Sequence, residues 1–147
     1  MRRAAPSGML PAWVAREPAM DMRASIDAIL DKAYAARQNN DAEKAAALFA
    51  DDARFGVNGA PHAERQAERL DVLKGMFADF AVIGFHEHCR IIDPPRAVVH
   101  WRGKFRAKNG REAEADILDL IEVRDGRIAS LTTFFDTAYA MSVAAPA

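Results

Sequence analysis

Residues 97–123 read AVVHWRGKFRAKNGREAEADILDLIEV, and the way this stretch pairs with itself decides the fold. Two runs rich in β-branched and large aliphatic residues flank Lys108-Asn109-Gly110, which has turn chemistry. A three-residue loop with Gly110 in the left-handed position makes a bulged hairpin. Arg106 then opposes Glu112, Lys104 opposes Glu114 and Arg102 opposes Asp116, so charges of opposite sign face each other. A two-residue Asn109-Gly110 loop would set Arg106 against Ala113 and Lys104 against Ala115. The three-residue register is the consistent one.

Side chains alternate between the faces of a strand, so the register sorts every residue. One face is a solvated ladder of Arg102, Lys104, Arg106, Glu112, Glu114 and Asp116. The other carries Ala97, Val99, Trp101, Phe105, Ala113, Ala115, Ile117, Ile121 and Val123. Asp119, opposite Val99, belongs to the apolar face. An ionised carboxylate there is costly without donors or water. It is therefore hydrogen-bonded, protonated through a raised pKa, or turned toward a wet cavity. Two roles stay open: a structural carboxylate satisfied by a tyrosine or backbone donor, or a pocket residue.

Outward from this hairpin, strand-like runs at about 80–92 and 127–136 are separated from it by "DPP" and "RDG" turns. Consecutive strands with short turns imply an antiparallel meander. In the last hairpin a two-residue Asp125-Gly126 turn points Ser130, Thr132 and Asp136 inward, a three-residue turn points Leu131 and Phe135 inward, and a bulge reconciles both. Upstream the period is helical. Ile26, Ile29, Leu30, Ala33 and Tyr34 recur along 22–38. Asn40 and Glu43 have capping-box spacing for a short second helix, "ARFGV" is a short strand, and "NGAP" a turn. Residues 63–78 form a third helix showing Ala67, Leu70, Leu73 and Phe77 on one side, with Arg65, Arg69 and Lys74 on a solvated face. The fold class is α+β, helices against one curved antiparallel sheet.

The 147 residues make one domain with half its residues hydrophobic and 28% charged. A net charge of −1 gives no general attraction for nucleic acid or an anionic membrane. No run of about 18 apolar residues would span a bilayer. Cys89, the single cysteine, excludes an intrachain disulfide and fits a reducing, cytoplasmic setting. Residues 1–19 are expected to be a poorly ordered extension, 20–140 the domain and 141–147 a flexible tail.

Other candidates are weaker. His86 and His88, with His100 beside them, face outward if Ile83, Phe85 and Ile91 point in, and no fourth metal ligand follows. By that parity Glu87 points inward near Trp101, unless a bulge reverses the faces. Cys89 reads as a small core residue.

The stretches YAARQNNDAEKAAALFADDARF (34–55) and DLIEVRDGRIASLTTFFDTA (119–138) resemble the SnoaL-like branch of the nuclear-transport-factor-2-like, ketosteroid isomerase-like superfamily. The resemblance spans about 22–138 and implies three helices wrapping a curved antiparallel sheet into a cone around an apolar pocket. Ketosteroid isomerases, polyketide cyclases, epoxide hydrolases, dehydratases and non-catalytic binders share that fold. By the resemblance Asp119 falls where the isomerases keep a protonated aspartate and near the cyclases' acid/base aspartate. Tyr34 approximates the isomerases' oxyanion tyrosine, but their proton-shuttling aspartate corresponds to Val57, which argues against steroid isomerisation. "FFD" is similar to the "YFD" of limonene epoxide hydrolases and places Asp136 near their water-activating aspartate. The partner Arg and Asp of that site fall at Gly103 and Phe105.

The expectation is thus a pocket on a small, apolar, oxygenated molecule. Asp119, Tyr34 and Asp136 would carry acid/base chemistry, and Trp101, Val99, Phe105, Ile117, Phe135, Val57 and Glu87 would shape the site. No metal or organic cofactor is implied. The alternative is a non-catalytic binding or scaffolding module, and the resemblance implies a homodimer through the outer sheet face.

Overall fold

The computed structural model describes residues 19–63 and 66–146; residues 1–18 of the expected extension lie outside them. In chain order the elements are α1 (Ala19–Gln38), α2 (Ala42–Ala47), β1 (Phe49–Val57), β2 (Ala60–Ala63), α3 (Gln66–Asp79), β3 (Phe80–Asp93), β4 (Arg96–Ala107), β5 (Glu112–Arg124), β6 (Arg127–Phe134) and α4 (Thr137–Ala144). The strands form one sheet in the order β2-β1-β6-β5-β4-β3. The meander of β3 to β6 is antiparallel, and β1 joins its edge parallel to β6. That parallel pair was not expected, because chain separated by a helix carries no turn signal for its partner.

The β4–β5 hairpin has the expected register throughout. Arg106 pairs with Glu112, Arg102 with Asp116, Trp101 with Ile117 and Val99 with Asp119, and Gly110 sits at φ +85°. The ladder is closed by Arg102 to Glu114 and Asp116 and by Arg106 to Glu112. In the last hairpin Arg124 faces Arg127 across Asp125-Gly126, and a bulge then shifts the pairing so that Glu122 faces Ser130. The bulge turns Leu131, Thr133 and Phe135 toward the interior, where they line the cavity.

Two irregularities in β3 overturn parity readings. The pairing skips Ile83 and again His88, so Cys89 faces His100 and Ile91 faces Val98 on the outer side. Cys89 is exposed rather than core, and Ile91 is 60% exposed. Phe85 does point in, against Tyr34 and Trp101, with ring centroids 5.7 and 5.1 Å away.

The helices carry three further corrections. Asp41, not Asn40, caps α2 by accepting from the Lys44 N–H at 3.0 Å. Asn40 takes a left-handed φ of 52° and clamps Val82, accepting from its N–H at 2.9 Å and donating to its carbonyl at 3.1 Å. Arg69, assigned to a solvated face, is 1% exposed. Between Phe49 and Arg54, β1 leaves regular pairing with β6, and Arg69 donates to the carbonyls of Ala53, Ala50 and Asp51 at 2.7, 2.8 and 3.0 Å. Those carbonyls are the reason a guanidinium can be buried there. A fourth helix, α4, continues regular structure to Ala144, into the 141–147 stretch expected from sequence to be a flexible tail. Asn109 holds it, donating to the carbonyls of Val143 and Ala145 at 2.8 and 3.2 Å.

Candidate functional site

The inner face of the sheet and the helices enclose a cavity of about 430 Å³. Its walls are mainly apolar, among them Phe49, Phe55, Val57, Leu73, Phe77, Phe105, Ile117 and Phe135. Its polar groups are few, which makes each of them informative.

Asp119 projects from the middle of β5 and is 5% exposed. One carboxylate oxygen, Oδ2, accepts from the Tyr34 hydroxyl of α1 at 2.6 Å and from the Trp101 indole N–H of β4 at 2.8 Å. The Thr133 hydroxyl, directly across on β6, is a third partner. Three other elements, α1, β4 and β6, thus converge on one side chain of β5. Burial drives the Asp119 pKa above the ordinary carboxylate range, against the pull of Tyr34, Thr133, Trp101 and the Arg37 charge. Burial, followed by the Asp119 charge, pushes the Tyr34 hydroxyl far up as well, so it stays a proton donor.

The aromatic wall is held by a missing side chain. A Cβ on Gly103 would collide with the rings of Phe105 and Trp101, so only glycine lets these residues lie over the strand between them. Their centroids are 5.8 Å apart. Gly103 therefore works by packing, not as the counterpart of a catalytic arginine.

Of the site residues expected from sequence, the structure bonds Asp119 to Tyr34 and Trp101, and Phe105, Ile117, Phe135 and Val57 line the same cavity. Three others differ. Asp136 lines the cavity as expected but is exposed and caps α4, its Oδ1 accepting from the Tyr139 N–H at 2.9 Å, and no hydrogen bond joins it to Asp119. Val99 is fully buried in the apolar cluster that includes Ile26, Ile29 and Leu30 of α1, and does not border the cavity. Glu87 shares a face with Trp101 but accepts from Arg90 at 2.9 Å. Arg90 also binds Asp27 and Asp31 of α1 at 2.7 and 2.8 Å, so Glu87 belongs to a clamp between helix and sheet.

Among the cavity residues that the expected site did not include are Arg37 and Thr133. Arg37 follows Tyr34 by three positions and so shares its helix face, a signal that could have found it. Thr133 could not be placed before the bulge in β6 was known.

The histidines lie on the outer face. His88 and His100 approach the Asp116 carboxylate at 3.6 and 3.3 Å, and Arg102 occupies its other oxygen at 3.1 Å. Among the described residues no helix is long and apolar enough to cross a membrane.

A mostly antiparallel sheet with helices packed over an apolar cavity is the nuclear-transport-factor-2-like fold. The SnoaL-like domain model matches residues 30–131, and the chain belongs to that family. No curated protein matches it. Among solved structures it is similar to an NTF2-like protein of unknown function from Burkholderia pseudomallei, at 18% identity and a TM-score of 0.74 over 83% of this chain and 98% of the other. It is also similar to TerC, co-crystallised with polyporic acid, at 19% identity and a TM-score of 0.68 over 82% and 97%. A hypothetical protein with a ketosteroid isomerase-like fold from Catenulispora acidiphila, in complex with trimethylamine, is 13% identical, with a TM-score of 0.69 over 79% and 91%. At these identities the likeness concerns the fold.

Proposed function

We propose that the protein is an acid/base enzyme of the isomerase, cyclase or hydrolase type acting on a small, largely apolar, oxygenated molecule held in the cavity. The observation that carries this reading is the buried Asp119 carboxyl bordering an apolar cavity, with Tyr34 and Trp101 on one of its oxygens. Burial favours the protonated acid, and a neutral carboxyl group near a ligand oxygen can donate its proton. The Tyr34 and Trp101 donors then stabilise the carboxylate left behind, so the proton can return in a later step. Thr133 orients the group from β6. The two solved relatives holding trimethylamine and polyporic acid support a small-molecule role for the cavity.

A non-catalytic ligand-binding module is the second reading, and Val57 favours it. This buried residue is hydrocarbon at the position where the family resemblance would align the isomerases' base. The two are separated by screening small cyclic enones, epoxides and aromatic ketones for binding by thermal shift, then for conversion by mass spectrometry. An enzyme converts a bound compound, and Asp119→Asn retains binding while losing conversion. A binder shows affinity without conversion in either protein. Absence of any binding would remove both readings.

The outer face supports a homodimer. Leu118, Leu120 and Phe134 are exposed there, with Leu118 directly opposite Phe134. Sedimentation at micromolar concentration is expected to give twice the chain mass, and a monomer would overturn the assignment. A reducing cytoplasmic location is proposed from the single thiol, Cys89.

A further inference from the structure

Arg69 and Arg37 are both drawn into this molecule, and they are satisfied differently. Arg69 spends three hydrogen bonds on backbone carbonyls of β1 and does not border the cavity. Arg37 borders it. Its guanidinium donates to the Phe80 carbonyl at 3.1 Å and to Asn40 Oδ1 at 3.3 Å, and stacks 4.2 Å from the Phe77 ring centroid. Phe105 flanks it at 5.7 Å. A guanidinium offers five N–H donors, so these contacts hold it in place without exhausting it.

What Arg37 lacks is a carboxylate in contact with it; the Asp119 charge favours its cation only from beyond ion-pair distance. Among the described residues no carboxylate lies within ion-pair distance of it. Asp79, a cavity-lining acid, is paired with Lys108 at 2.9 Å. Asp119 is committed to Tyr34 and Trp101, and burial favours its neutral form. The same burial lowers the Arg37 pKa only to about 10, so it remains a cation at neutral pH. A fixed cation with spare donors on an apolar wall is favourable for an anion that arrives with the ligand.

We propose that Arg37 receives an ionised oxygen of the ligand, a carboxylate or a ring enolate, so that the cavity selects apolar acids over neutral or cationic molecules of the same shape. This rests on the reading of the cavity as a small-molecule pocket. It assigns the two polar positions different tasks: Arg37 holds the charged end, and Asp119 exchanges a proton with the remainder.

The test is a matched series on one skeleton: naphthoate, naphthalenemethanol, naphthylmethylammonium and the hydroxynaphthoquinone anion. Binding of each is measured by calorimetry near neutral pH. Wild-type protein should bind naphthoate or the quinone anion roughly 10- to 100-fold more tightly than the alcohol, as a charge-assisted pair predicts, and the ammonium most weakly. Whichever anion binds tighter tells the carboxylate from the enolate. Arg37→Met should remove the preference while keeping affinity for the alcohol, and Arg37→Lys should retain part of it. The wild-type comparison stands even if a variant folds poorly. Alcohol binding equal to or tighter than both anions would overturn the Arg37 assignment and leave the pocket intact. If none of the four binds, the small-molecule reading falls, and this one falls with it.

Discussion

Asp116 and Asp119 stand three residues apart on β5 and live in opposite surroundings. Asp116 faces out, with Arg102 at 3.1 Å, His100 at 3.3 Å and His88 at 3.6 Å around it. Asp119 faces in, with Tyr34 and Trp101 on a single oxygen, Thr133 as a third partner and mainly apolar side chains beyond them. Asp116 has more polar side chains around it, one of them the Arg102 cation, and is expected to contribute less to stability. Water screens the outer pairs and competes with them, whereas no water is needed to explain how Asp119 is held. A count of ionic contacts would rank the two faces in the wrong order.

The sharpest way to break this comparison is at the inner face. Trp101→Ala removes a nearly buried ring and one donor of Asp119 together, and should lower the unfolding free energy by about 3–5 kcal/mol in urea melts. Asp119→Leu leaves the Tyr34 hydroxyl and the Trp101 N–H without their acceptor and should cost about 1–3 kcal/mol. A variant as stable as wild type would show that the strand does not need this carboxyl to fold. It would then be a residue retained for its task at some expense of stability.

The pH dependence of stability sharpens the contrast further. Because burial raises the folded pKa of Asp119, protonation favours the folded state. That contribution is complete below the ordinary carboxylate range and is lost as pH rises toward the raised folded value. Wild type should therefore lose stability relative to Asp119→Asn across that window, seen as converging or crossing urea midpoints at stepped pH. Parallel profiles would mean that the Tyr34, Trp101 and Thr133 hydrogen bonds cancel the cost of burial. The smallest effect belongs to the outer face. Arg102→Ala should change stability by less than about 1 kcal/mol, and less again in high salt.

The hairpin was legible because it is local. Three residues of turn chemistry and a run of matched charges leave one register, and that register alone sends Asp119 inward. The partners of Asp119 were legible unequally. Trp101 lies on the neighbouring strand of the same hairpin. Tyr34 came only with the family resemblance, 85 positions away in the chain. Thr133, Asp136, Glu87 and Cys89 depended on bulges and caps. One extra residue in a strand reverses every side chain beyond it, and nothing in the alternation of β3 or β6 announces where that residue falls.

By itself, then, the sequence determined the class of fold, the β4–β5 register and the burial of one acid, since each follows from periodicity and short-range pairing. Only the tertiary structure decided what that acid touches, that Arg37 borders the cavity with no carboxylate at ion-pair distance among the described residues, and that Arg69 is a buried staple for β1 rather than part of a wet helix face. Those outcomes depend on which backbone carbonyls and charges are left unpaired once distant segments have packed, and that is a property of the assembled chain.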